Sequence, residues 1–356
     1  MSTVREKEAL QIVVTLIKEW TAIESEDIDF DPAKKGLEID LIQKNGEWVF
    51  VIEYKGSGAA QFVAGAVEKL NKYIEKIDRE VIPVVAVPYM GDAGRHLCEE
   101  KKVSWLDLSG NADIAAPGLR IHVEGKPNKF KSAGRPKDIF APKSSRITRH
   151  LLIEPGRFIT QRELTNENDL DEGLVSRVVR EMEKNRLLER DLLAGGVRPK
   201  DPDILLDAWH EKYSFSKHHI IKGFVAERTS SIAVKNLVEA IKTNNLNYAL
   251  TGLSAAWLLS GFAAYRTATV YLSEEPSDEL LKGMGFAKGE KGSNVWLVVP
   301  NDEGVFDGAA FRDGIRCVHP VQIYLDLKGH PERAKEAAQR LREEFLIWEE
   351  KDAVQT

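Results

Sequence analysis

DEGLVSRVVREMEKNRLLER, residues 171–190, is the stretch on which the fold turns. Leu174, Val175, Val178, Val179, Met182 and Leu187 recur at spacings of three and four. A helix here buries one stripe and leaves Ser176, Arg177, Arg180 and Lys184 on the other side. Upstream, QRELTNENDL (161–170) reads as a short helix that stops in residues 166–169, whose side chains bond their own backbone and favour a turn. Downstream, residues 187–191 and 197–200 read as two strands about Gly195 and Gly196, expected to supply the positive φ of a hairpin tip. Helix, turn, helix and hairpin in this order predict a winged helix-turn-helix. Such a helix fits the major groove, where base edges are distinguishable. Arg177 and Arg180 are the expected base readers, with Ser176 and Lys184 beside them, and Arg198 and Lys200 on the wing the expected phosphate contacts.

The RELT segment followed by GLVSRVVREMEKNRLLER resembles winged-helix regulators of the MarR-like kind, which implies double-stranded DNA as a partner. Composition restricts where that DNA can bind. The chain has 356 residues, 50 Lys and Arg against 56 Asp and Glu, and a net charge of -6, so any nucleic-acid surface must be local. The length exceeds one ordinary core and predicts two or three domains. The two cysteines, Cys98 and Cys317, belong to no CxxC pattern, which argues against a disulfide framework or zinc site and for a reducing cytoplasm. With no basic leader and no apolar run near ~20 residues, no membrane association is expected.

From the start, residues 4–20 form an amphipathic helix in which Leu10, Val13, Val14, Ile17 and Trp20 share one side and Glu6 lies on the same stripe. GLEIDLIQKNGEWVFVIEYK (36–55) then reads as a hairpin, its strands joined at Lys44-Asn45-Gly46. Asp40 and Glu53 stand 13 residues apart, a separation the hairpin can close, and Glu53 and Lys55 share a strand face. Two facing carboxylates repel unless paired or bridged by a hard cation such as Mg2+, beside which Lys55 could orient water or steady charge on a phosphate.

That run resembles the core of PD-(D/E)xK nucleases, especially the Holliday-junction-resolvase-like group. The resemblance implies a restriction-endonuclease-like αβββαβ fold over residues 1–124, Asp40 and Glu53 as metal ligands with Mg2+ or Mn2+, Lys55 as the catalytic lysine, and a further acid from the first helix. Glu6 is the candidate, with Glu8 in reserve. Intact carboxylates do not by themselves decide between cleavage and a scaffold.

Residues 125–149 change character: Lys126, Lys129, Lys131, Arg135, Lys137, Lys143, Arg146 and Arg149 stand against Asp138 alone. Residues 125–143 are read as a basic linker lying along the phosphate backbone, with Lys131, Arg135 and Lys137 as contacts. The winged helix-turn-helix is placed at 144–222, its first helix at 144–152 capped by Ser144 or Ser145, with a further helix over 201–213. Residues 223–356 follow with a strand, a Thr251-Gly252 turn, a helix, three more strands and closing helices. ALTGLSAA (249–256), the strand ending at Leu272 and HPVQIYLDL (319–327) resemble the C-terminal domain of AbiEi-type antitoxins, a degenerate nucleotidyltransferase-like fold. That chemistry needs paired carboxylates, where this chain has Thr269-Val270-Tyr271. The expected protein is a multidomain α/β, DNA-binding regulator or type IV antitoxin, homodimeric, with a toxin protein as partner. The alternative is a Mg2+-dependent DNA endonuclease using Asp40, Glu53 and Lys55.

Overall fold

The computed structural model describes residues 6–24, 27–30, 39–77, 80–130, 138–191, 193, 195–262 and 264–348. It is a mixed α/β protein that divides into two compact units, Met1–Lys137 and Asp138–Thr356.

The N-terminal unit runs α1 (Glu6–Thr21), β1 (Asp27–Phe30), β2 (Leu41–Asn45), β3 (Trp48–Tyr54), α2 (Ala60–Ile74), β4 (Ile82–Val87), α3 (Asp92–Glu100), β5 (Ser104–Asp107), β6 (Ala112–Ala116) and β7 (Leu119–Val123). Its first six elements follow the αβββαβ order. The strands lie in one sheet in chain order, antiparallel from β1 to β3, parallel through β4 and β5, then antiparallel. The β2–β3 loop is Gly46-Glu47, one residue later than Asn-Gly suggests. Asn45 still pairs with Trp48, and Gly46 takes φ +58° at the first loop position.

Period-two alternation splits the core between two faces. Phe50, Ile52 and Tyr54 pack with Leu10, Val13 and Ile17 of α1, while Val51 packs with Val63, Val67 and Leu70 of α2. Gly58 is required by close approach, since a Cβ there would meet the Tyr89 carbonyl oxygen at 1.9 Å.

The C-terminal unit begins with α4 (Pro142–Ile153), α5 (Gln161–Glu167), α6 (Glu172–Lys184), β8 (Leu188–Arg190), β9 (Val197–Pro199) and α7 (Pro202–Lys212). Ile159 bridges to Val197, adding a third segment to the β8–β9 hairpin. Only Gly195 of the glycine pair has positive φ, +73°. Gly196 is needed for space instead, because a Cβ would meet Phe158 and the Ile159 backbone at 3.0–3.2 Å. The serine caps expected for α4 are not used: Pro142 occupies the first turn, and Ser145 donates to the Pro142 carbonyl at 2.7 Å. α5 is set by a capping box, Thr160 accepting from the Glu163 backbone N–H while Glu163 accepts from that of Thr160. Asp171 caps α6, accepting from Leu174 N at 3.0 Å. Val175, Val178, Val179 and Met182 are buried, each worth roughly 1.5–3 kcal/mol of apolar transfer.

β10 (His219–Val225), α8 (Ser230–Thr243), β11 (Tyr248–Thr251), α9 (Gly252–Ser260), β12 (Ala268–Leu272), α10 (Asp278–Gly283), β13 (Phe286–Lys288), β14 (Val295–Val299), β15 (Ala310–Arg312), β16 (Ile315–Cys317), α11 (Pro320–Asp326) and α12 (Ala334–Phe345) complete the unit. Its sheet has the order β13-β10-β14-β12-β11-β16-β15. A boundary at residue 223 would cut β10, which runs across it from His219 to Val225. Val321, Leu325 and Leu346 join the core of α4–α7, so that part and the C-terminal sheet form one body.

Candidate functional site

Two constellations carry charge in a form available for chemistry or binding. The first is the outer face of α6. Arg177, Arg180 and Lys184 are exposed and Ser176 is half-buried, while the opposite stripe is buried. Lys184 approaches Glu181 at 3.8 Å. Among the described residues, Arg177 and Arg180 have no ion pair. The wing differs. Arg198 is pinned by Glu189 (Nε to Oε1, 2.6 Å) and lies over the Phe158 ring at 4.4 Å, and Arg190 is bound by Glu183, whereas Lys200 is exposed.

The basic segment upstream is not all exposed. Lys126, Lys129 and Lys143 are exposed, but Arg146 and Arg149 turn inward on α4. Arg146 clamps Asp302 with Nε and Nη2 at 2.8 and 2.9 Å, and Arg149 is 2% exposed. Three residues apart, they share the face that packs on the chain after β14, a partner that segment composition cannot reveal. Lys131, Arg135 and Lys137 lie outside the described residues. Arg162 is exposed on α5.

The second constellation lies where β2 and β3 begin and end. The register Leu41↔Ile52 sets Asp40 across from Glu53. Glu53 is fully buried. Lys55 Nζ donates to its Oε1 at 2.6 Å, and Lys69 Nζ of α2 lies 2.9 Å from both carboxylate oxygens, donating to Oε1. Asp40 Oδ2 accepts the Tyr54 N–H at 2.8 Å, and its Oδ1 is 4.0 Å from Lys69. Burial raises the Glu53 pKa above its usual range, opposed by the bonds from Lys55 and Lys69 and assisted by the Asp40 charge.

Lys69 was not anticipated. Its signal was present: it stands three residues after Ala66 and four before Tyr73, at the edge of the buried stripe of α2. Glu6 does not join this group. It is exposed on α1, where it acts on the Tyr54 hydroxyl, on the face of β3 opposite Glu53. Glu8 is also exposed on α1.

The donor set suits a hard cation in kind, since Mg2+ is commonly held by one or two carboxylates plus water and phosphate and Asp40 Oδ1 has only a distant lysine, but the Lys69 ammonium already lies 2.9 Å from Glu53 Oε2. Among the described residues, no group of three or more His, Cys, Asp or Glu is placed to hold a metal ion.

In the C-terminal sheet, Thr269 and Tyr271 lie on β12. Both are buried in a hydrogen-bonded network: Thr269 meets His330 at 3.1 Å, and Tyr271 donates to Asp326 at 3.0 Å. Asp326 also accepts from Tyr213, Thr251 and Gln322. With no charge among these donors, burial lifts its pKa to about 6. His218, whose Nδ1 accepts the Asn301 N–H at 3.1 Å, is held neutral by burial, its pKa lowered to about 4. Gly252 takes φ +56° at the turn into α9. Cys98 and Cys317 are buried free thiols, each pushed up to about 12 by burial.

This geometry fits one comparison. Residues 198–347 match the family model described as transcriptional regulator, AbiEi antitoxin, Type IV TA system. The match runs from β9 through α12, that is 347 − 198 + 1 = 150 of 356 residues, and does not include α4–α6 or the N-terminal unit. The region is therefore similar to transcriptional regulators of toxin-antitoxin systems. No curated protein matches the chain, and no solved structure does. No helix among the described residues is long and apolar enough to cross a membrane.

Proposed function

We propose that the chain is a DNA-binding transcription regulator of the AbiEi-antitoxin-like class that holds duplex DNA through its winged helix. The observation that carries this reading is the outer face of α6: two exposed arginines without ion pairs among the described residues, on a helix whose other face is anchored in the core. Capping by Asp171 and the short α5 fix that helix in direction. Arg177 and Arg180 have the reach and the forked donors for guanine edges, while Lys200 and the linker residues Lys131, Arg135 and Lys137 supply phosphate contacts. A homodimer would offer two copies of α6 to half-sites about 34 Å apart. A toxin protein as partner and a cytoplasmic location belong to the same reading.

The test is binding to duplex pools at several salt concentrations. Arg177→Ala with Arg180→Ala is expected to cost on the order of 10- to 1,000-fold on the preferred sequence and little elsewhere. Neutralising Lys131, Arg135 and Lys137 should weaken every sequence and flatten the salt slope by about one per residue. An unchanged double mutant overturns the assignment of α6.

A second reading, metal-dependent DNA cleavage, is favoured by the convergence of Asp40, Glu53, Lys55 and Lys69. A magnesium ion held by Asp40 and Glu53 would polarise a phosphodiester and lower the pKa of water. Lys55, just after β3 with its backbone N–H bound to Ala86 O at 2.8 Å, would steady the attacking water or the developing charge. Lys69 would leave Glu53 for the incoming phosphate.

A further inference from the structure

We infer that the C-terminal unit binds a small oxyanion, a phosphate ion or the phosphate of a monoester, in the cavity against Arg149. Arg149 projects from α4 and is 2% exposed, with its guanidinium 5.1 Å from the Trp209 ring centroid. One of its donors is used: Nη2 bonds Gln322 Oε1 at 2.7 Å, while Nε and Nη1 are buried with no partner. A guanidinium does not shed its proton, so burial without a counter-charge is costly.

The nearby carboxylates do not supply that charge directly. Both Asp302 oxygens are taken by Arg146, and Asp307 acts on Arg149 only from a distance. Beside Arg149 lies a cavity of about 50 Å³ whose lining includes Lys212, Lys217, Tyr213 and His218. Asp138 lines it too, with Oδ1 accepting the Phe140 N–H at 3.0 Å. The lining thus carries three positive and two negative charges, one of the latter, Asp302, already matched by Arg146.

A water needs roughly 10–15 Å³ by this measure, so the space equals about four waters, enough for one tetrahedral oxyanion and too small for a nucleoside. Water would satisfy the idle N–H groups but leave the buried charge facing only Asp307 and Asp302, neither of them bonded to it. An oxyanion answers both, with Lys212 and Lys217 at the exposed rim to draw it in. The site joins α4 to α7 and to the chain after β14, and it stands independently of DNA binding.

The experiment titrates the full chain with inorganic phosphate, with AMP, and with chloride at matched ionic strength, reading melting temperature and 31P line width. Phosphate is expected to raise the melting temperature by about 3–6 °C at tenfold excess over its dissociation constant and to broaden its own resonance. Arg149→Met should abolish both effects, and Lys217→Ala, at the exposed rim, should weaken affinity several-fold in a protein that still folds. A stronger response to AMP assigns the site to a phosphomonoester, and a stronger response to phosphate to the free ion. Equal shifts with chloride, or equal phosphate responses in wild type and Lys217→Ala, overturn the inference and leave a cavity filled by water.

Discussion

Glu53 in the N-terminal unit and Asp326 in the C-terminal unit are both fully buried carboxylates, and the protein treats them in opposite ways. Glu53 faces two ammonium groups on long side chains that remain 27% and 32% exposed. Asp326 faces neutral donors held on rigid, buried frames: the phenols of Tyr213 and Tyr271, the Thr251 hydroxyl and the Gln322 amide. Burial raises the pKa of both. Lysines near solvent can leave a carboxylate for a phosphate or yield to a cation at small cost, whereas ring hydroxyls buried among α7, β12 and α11 cannot. The first arrangement is suited to exchange of partners and the second to pinning helices together.

The largest effect that can break this comparison is on DNA cleavage. If Glu53 exchanges partners in a catalytic cycle, plasmid incubated with Mn2+ is nicked, and Asp40→Ala, Glu53→Ala and Lys55→Ala each lower the rate by on the order of 100-fold or more. Equal nicking by wild type and all three variants removes the catalytic half of the contrast.

Next comes the pH dependence of stability. A rise of the Asp326 pKa from 3.8 to about 6 corresponds to roughly 3 kcal/mol, present below pH 3.8 and lost as pH rises through 6. Asp326→Asn should flatten that part of a denaturant-derived stability profile between pH 4 and 7; an unchanged slope shows that other groups set it. Tyr271→Phe, which removes one donor to Asp326, should cost about 1–3 kcal/mol at pH 8, where the carboxylate is charged, and less at pH 4. Chemical denaturation at the two pH values measures the difference. Lys69→Met should give the smallest change, under about 1 kcal/mol, because its ion pair is a third exposed. A loss as large as that of Tyr271→Phe would erase the distinction between the two sites.

Much of the candidate machinery was legible because its signals are local. The apolar spacing of residues 174–182 gave α6 and its exposed arginines, and the Asn-Gly between two β-branched runs gave the hairpin that faces Asp40 with Glu53. Thr269 and Tyr271 are buried, bonded to His330 and to the Asp326 carboxylate, partners that lie far along the chain. β10 was not read, since its sequence supplies no clean alternation and its pairing with β13 and β14 lies far along the chain. The serine caps of α4 failed for a local reason, the proline that already opened the first turn.

By itself, the order of residues determined most helices and strands, β10 excepted, and which side chains share a face, because both follow from periods of a few residues. Tertiary structure alone decided where the charges went. Lys69 reached Glu53 across 16 residues, Arg146 reached Asp302 across 156, Arg149 reached Gln322 across 173, and Glu6 was carried to the far face of the sheet. A charged side chain takes whichever partner packing brings within a few ångströms, and packing is set by apolar faces whose pairing no local pattern encodes.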